Sequence, residues 1–132
     1  MKVGEAIARS ARSSGARVFA LRGDLGAGKT TFVQGFLRGL GLKKRSPSPT
    51  FIIMRRHALK GRLVKNAFHV DAYRVKNARS LAVLGLTEIM ADPKNVVLIE
   101  WAERARGLLP RGTVRITFTH GRRENERTIR VG

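Results

Sequence analysis

The chain has 132 residues, which makes one domain the default and leaves no room for a separate substrate domain or a repeat array. Hydrophobic residues make up 42%, enough for a buried core and too many for a disordered chain. Cysteine is absent, which excludes disulfides, thiolate metal sites and cysteine nucleophiles. Twenty-seven Lys and Arg against nine Asp and Glu give a net charge of +18. Such a surface draws polyanions, nucleic acid first among them. The charge is nevertheless spread along the chain, and only Lys43-Lys44-Arg45 and Arg122-Arg123 are dense, with few aromatics nearby to stack bases. The scarce acids are more informative, because Asp24, Asp71, Glu100 and Glu103 all fall inside motifs. No apolar run is long enough to span a bilayer.

Met1 to Arg17 is rich in Arg, Ser and Ala and poor in acid, a composition shared with mitochondrial transit peptides. Ala6, Ile7 and Ala11 nevertheless recur at helical spacing, which predicts a short amphipathic helix covering the strand that follows at 18–22. Next comes Gly23-Asp24-Leu25-Gly26-Ala27-Gly28-Lys29-Thr30, then a helix over 31–40 with Phe32, Phe36 and Leu40 on one stripe and Gly41 as its stop. A basic loop leads to Ser48-Pro49-Thr50. Residues 51–57 and 63–70 read as a hairpin turning near Lys60-Gly61. Residues 78–91 read as one or two short helices broken around Gly85, and Val96 to Ile99 as a fully buried strand ending at Glu100. A short helix follows towards Leu109, before Pro110. The alternation of 114–119 predicts a half-buried strand, which 121–125 turns back into a last strand over 127–131. This order predicts a three-layer α/β fold of the P-loop class, with a mostly parallel sheet and antiparallel additions.

Residues 23–30 match G-x-x-x-x-G-K-[ST], the phosphate-binding loop. Glycines let the backbone wrap phosphates closely, and the following helix presents its positive end to the same anion. Asp24, Leu25, Gly26, Ala27, Gly28, Lys29, Thr30 and Thr31 are therefore the candidate ATP-binding positions. Lys29 would reach the outer phosphates and Thr30 would bind Mg²⁺ through its hydroxyl. Glu100 ends a buried strand, and in such sheets the carboxyl ends of the strands face the ligand crevice. It is the second candidate Mg²⁺ ligand, or the group that polarises water. In His69-Val70-Asp71-Ala72-Tyr73-Arg74, alternation sets His69, Asp71 and Tyr73 on one side of an extended segment. Three histidines are too few for a zinc site there. The pattern alone fits equally a catalytic Asp71 and a plain strand end with a hydrogen-bonded histidine. Thr50 occupies a loop where some nucleotide switches place a threonine that senses the γ-phosphate.

Taken together, GDLGAGKTTF at 23–32, SPTF at 48–51, HVDAYR at 69–74, LGL at 84–86 and LIEWAE at 98–103 resemble the TsaE (YjeE) family of small bacterial ATPases. The similarity runs over about residues 3–119. The phosphate loop is common to many families, whereas HxDxYR followed by an IEW element is far more specific. The resemblance implies a cytoplasmic ATPase that works with the TsaD and TsaB proteins in forming N6-threonylcarbamoyladenosine in tRNA, the transfer itself belonging to TsaD. It further implies that Lys29 and the loop amides bind ATP, that Thr30 and Glu100 serve Mg²⁺, and that Thr50 acts as a switch. Asp71 would support hydrolysis, Trp101 would lie near the nucleotide, and Glu126 and Arg127 would border the adenine. Three features depart from the family: members usually carry a short strand before the first helix whereas this sequence opens within that helix, Ala72 replaces a commoner bulky apolar residue, and the +18 charge is unusual, suggesting direct contact with tRNA. Two other classes fit the motifs less fully. A small P-loop kinase would need an acceptor pocket and a lid, and an RNA-binding module with a vestigial loop would not need Gly26, Gly28, Lys29 and Thr30 intact.

Overall fold

A computed structural model describes residues 2–23, 28–42, 53–61, 63–120 and 127–132. The elements in chain order are α1 (Lys2–Ser14), β1 (Val18–Gly23), α2 (Lys29–Gly39), β2 (Met54–Ala58), β3 (Asn66–Asp71), α3 (Ala78–Val83), α4 (Leu86–Ala91) and β4 (Asn95–Glu100). A 3₁₀ turn over Ala102–Ala105, β5 (Val114–His120) and β6 (Arg127–Val131) complete them. The six strands form one sheet in the order β2-β3-β4-β1-β5-β6. Its four central strands are parallel, and β2 and β6 pair antiparallel at the two edges. This is the mostly parallel sheet with antiparallel additions that the order of patterns predicts. No helix among the described residues is long and apolar enough to cross a membrane.

The sheet is covered on both faces, which is why its inner strands read as continuous apolar runs. Val18 to Leu21 and Val96 to Ile99 are buried throughout. Alternate residues then serve opposite layers. Phe19, Leu21, Val96, Leu98, Ile116 and Phe118 join the core beneath α1 and α2, whereas Val18, Ala20, Val97 and Ile99 join the one beneath α3, α4 and the 3₁₀ turn. Edge-on aromatic packing fixes α2 on its face of the sheet: Phe36 meets Phe19 at 4.8 Å and Phe32 meets Phe118 at 5.2 Å between ring centroids. The stripe of Phe32, Phe36 and Leu40 is buried, as its spacing predicts.

In α1 the buried stripe is Gly4, Ala8 and Ala11, with Ile7 half-buried and Ala6 exposed, so the face is rotated from the predicted one. Small residues face α2 because the two backbones cross in contact. A Cβ at Gly4 would stand 2.7 Å from the Phe36 nitrogen, and one at Gly39 would stand 2.8 Å from the Ala8 Cβ. The residues after β4 make a single 3₁₀ turn and then irregular turns to Leu108, shorter than the predicted helix. The break at Gly85 is real, since Gly85 is left-handed at φ 89° and caps α4. The 121–125 turn lies outside the described residues, although β5 and β6 pair as the hairpin requires.

Two measurements test this packing. Gly4→Ala should destabilise the fold by about 1–3 kcal/mol, read as a lowered chemical-denaturation midpoint with unchanged slope, because the added methyl meets backbone rather than a movable side chain. On edge strand β2, burial above all, with the nearby Arg55 guanidinium adding to it, holds the His57 imidazole below its ordinary pKa of 6.5. The unfolded chain therefore takes up the proton first, and stability should fall as pH drops below about 6.5. His57→Gln should flatten that fall in thermal melts taken from about pH 7.5 to about pH 5.

Candidate nucleotide site

The parallel pairing of the inner strands brings Gly23, Asp71 and Glu100 to one edge of the sheet. Leu21 is in register with Glu100, and Asp71 is in register with Glu100 on the other side. Val96 and Leu98 belong to the core under α1 and α2, so Glu100, two residues further, points to that same side. Here β1 gives way to the phosphate-loop segment and α2 begins.

The helix starts at Lys29, two residues before the predicted start. Gly28 stands at φ 93°, ψ 12° and makes no side-chain cap. A left-handed residue turns the chain sharply enough to bring Lys29 and Thr30 into the first helical turn. The amides of that turn have no acceptor within the helix, and they point along the positive end of its dipole. The Thr30 side chain is on the exposed side of the turn.

Lys29 is buried, with only 6% of its surface exposed. Its Nζ donates to the Gly23 carbonyl at 2.7 Å and lies 4.2 Å from the centroid of the Trp101 ring. Among the described residues no carboxylate pairs with it. A buried ammonium held only by a carbonyl and a ring face is incompletely compensated, and an anion arriving at the helix end would complete it.

Trp101 follows Glu100 directly. Its backbone is left-handed, at φ 57° and ψ 45°, the only described residue besides glycine with a positive φ. That conformation costs on the order of 1–2 kcal/mol for a residue with a Cβ. It bends the chain out of β4 and sets the indole against Lys29 on one hand and Tyr73 on the other, the latter with ring centroids 4.9 Å apart. Strain of this kind persists where surrounding contacts over-determine it, and it concentrates at functional sites.

The HVDAYR segment departs from the predicted alternation at its end. β3 stops at Asp71, whose Oδ1 accepts the Tyr73 N–H at 3.0 Å, so Tyr73 sits in a turn and not on the strand. His69 and Asp71 keep the shared face. His69 reaches diagonally across the β3–β4 ladder, and its Nε2 lies 2.6 Å from Glu100 Oε2. That contact joins two segments whose sequence separation is 31 residues, and nothing local in either segment announces it.

The described residues thus bring Gly28, Lys29, Thr30, Thr31, Asp71, Glu100 and Trp101 to the carboxyl end of the sheet. Asp24, Leu25, Gly26, Ala27, Thr50 and Glu126 lie outside them, and Arg127 opens β6 opposite His120, at the far side of β1 from Asp71. Beyond the expected set, the structure adds His69 and Tyr73 as direct neighbours of Glu100 and Trp101. A further opening of about 460 Å³ lies beside Trp101, lined among others by Lys76, Asn77, Arg104 and Arg106.

The sequence matches the family described as "Threonylcarbamoyl adenosine biosynthesis protein TsaE" over residues 1–129. It is similar to proteins named tRNA threonylcarbamoyladenosine biosynthesis protein TsaE from Haemophilus influenzae and Bacillus subtilis. The first is 32% identical over 100 residues, covering 76% of this chain and 61% of that protein. The second is 39% identical over 101 residues, covering 76% and 60%. A namesake from Treponema pallidum is 38% identical over 101 residues, covering 76% and 71%. The chain therefore spans about three fifths of the length of the first two relatives. The crystal structure of Bacillus subtilis YdiB superposes with a TM-score of 0.67 at 34% identity, covering 96% of this chain and 75% of that one. With the phosphate-loop motif, the sheet order and the profile match in agreement, the chain belongs to the TsaE family and has its P-loop fold.

Proposed function

We propose that this chain binds and hydrolyses ATP with Mg²⁺, and that it supports turnover of a TsaD–TsaB complex forming N6-threonylcarbamoyladenosine in tRNA. The observation that carries the nucleotide reading is the buried Lys29 ammonium at the head of α2, beside a strand that ends in Glu100 and lacking a carboxylate partner among the described residues. The tRNA-modification reading rests on the family.

The donor set suits the ligand. Magnesium takes hard oxygens, typically one or two carboxylates with phosphate oxygens and waters, and Thr30 and Glu100 supply a hydroxyl and a carboxylate. The described residues hold no cluster of three or more His, Asp or Glu side chains that would make an all-protein cage. When bound, the ion would neutralise charge on the transferring phosphate.

Within this reading Lys29 leaves the Gly23 carbonyl for the outer phosphates, and the first amides of α2 donate to the same group. The segment Asp24–Ala27 wraps the phosphates, Thr31 continues the wall, and Trp101 borders the nucleotide with its indole. Glu100 orients a water or the metal's water shell, and Asp71, anchored through Tyr73 N–H, supports hydrolysis. Thr50 senses the γ-phosphate, while Glu126 and Arg127 approach the adenine. The +18 surface supplies a second contact with tRNA inside the complex, a contact that salt would weaken.

Two experiments test this. Lys29→Ala should weaken nucleotide binding by roughly 10- to 100-fold, since a charged hydrogen bond contributes about 1.5–3 kcal/mol. Glu100→Ala should leave affinity within about threefold and lower hydrolysis by roughly 100-fold. Full hydrolysis by Glu100→Ala would refute its role. In multiple-turnover threonylcarbamoylation of tRNA by TsaB and TsaD, wild-type chain should stimulate product formation and Lys29→Ala should not. No stimulation of competent partners by a chain that still binds ATP would overturn the accessory reading, and a phosphorylated small molecule in its place would indicate a kinase.

A further inference from the structure

His69 is buried, with 4% of its surface exposed, and its Nε2 stands 2.6 Å from Glu100 Oε2. An ionised carboxylate only accepts hydrogen bonds, so Nε2 carries the hydrogen and donates it. In the neutral imidazole Nδ1 is then a bare acceptor, and it is buried without a partner among the described residues. Arg55 stands directly opposite His69 on β2, and its buried Nε–H is likewise without a partner among the described residues. The two orphans are complementary, one a donor and one an acceptor, on a facing cross-strand pair. Among the described residues the hydrogen bond to the Glu100 carboxylate is made at Oε2, and Oε1 has no partner among them.

We infer that His69 is a positioning residue for Glu100. It pins Oε2 by the Nε2–H bond, fixes the rotation of the carboxylate, and so aims Oε1 towards the head of α2. Arg55 backs the imidazole from the other side, directly or through one water, and keeps Nδ1 as an acceptor. The arrangement is the same in kind as the outer partners that orient metal-bound carboxylates and imidazoles, whose loss typically costs 10- to 100-fold in metal affinity or activity. The inference rests on the proposed reading of Glu100 as the carboxylate that serves Mg²⁺ and water.

The test uses two conservative variants of the full chain. A glutamine amide nitrogen falls near the Nε2 position of histidine and reaches Glu100, whereas an asparagine amide falls near Nδ1 and does not. The sole tryptophan, Trp101, reports nucleotide binding by its fluorescence, with EDTA and across a Mg²⁺ titration, and turnover is measured beside it. His69→Asn should raise the Mg²⁺ half-saturation and lower kcat, each by about 10- to 100-fold, with nucleotide affinity in EDTA changed less than twofold. His69→Gln should recover most of both. In a Glu100→Ala background His69→Asn should add nothing, because there is then no carboxylate to aim. Equal behaviour of the Asn and Gln variants would overturn the inference, as would an Asn effect that persists without Glu100. If Glu100→Ala itself left Mg²⁺ half-saturation and turnover unchanged, the underlying reading of Glu100 would fall, and the inference with it.

Discussion

A buried ammonium without a counter-charge among the described residues is the constraint on which the rest of the site depends. Isolated charges are expensive to remove from water, and Lys29 is compensated only by the Gly23 carbonyl and the face of Trp101 among the described residues. Each compensating group demands its own support. The carbonyl is placed by β1, which is locked between β4 and β5. The ring is placed by a left-handed turn at the end of β4, braced by Tyr73. The lysine itself depends on Gly28, which starts α2 early enough for its side chain to turn back over the strand. Three elements are thus held at one sheet edge by a charge that none of them neutralises.

The carboxylate side of the site follows a different rule. Glu100 is at the end of the most deeply buried strand, where Val96 to Ile99 leave it no freedom in the backbone. Its side chain, however, could rotate about its own bonds, and burial alone would not choose a rotamer. The hydrogen bond from His69 supplies that choice. Charge and geometry are therefore provided separately: cations and helix amides on α2, aimed oxygens on β3 and β4.

What the sequence could disclose was whatever is periodic or contiguous. The phosphate loop, the continuous apolar run before Glu100 and the alternation of β5 each carry their meaning within a few residues, and the two strands stand where their patterns place them, with α2 opening at the end of the phosphate-loop motif. The sheet order was legible only as a class, because which strands pair depends on crossovers that no local pattern encodes. Three details were hidden for specific reasons. The α1 face is set by how closely Gly4 and Gly39 let two backbones approach, so a stripe chosen by hydrophobicity picked Ala6, which is exposed. Tyr73 follows an alternating run but leaves the strand, because the Asp71 side chain captures its amide. The His69–Glu100 contact is diagonal and long-range, so each residue was visible alone and their pairing was not.

The glycine seam between α1 and α2 also makes the second helix a transmission rod. α2 has eleven residues, about 16 Å of stiff backbone, with Lys29 and Thr30 in its first turn and Gly39 at its far end. A group that wedges the seam at Gly39 or Ala8 cannot be absorbed by compressing backbone. It must instead tilt or slide the rod against the sheet. A side chain far from any phosphate can therefore shift the two groups that would meet it by a fraction of an ångström, which makes the α1–α2 contact a tuning point for ligand affinity as well as for stability.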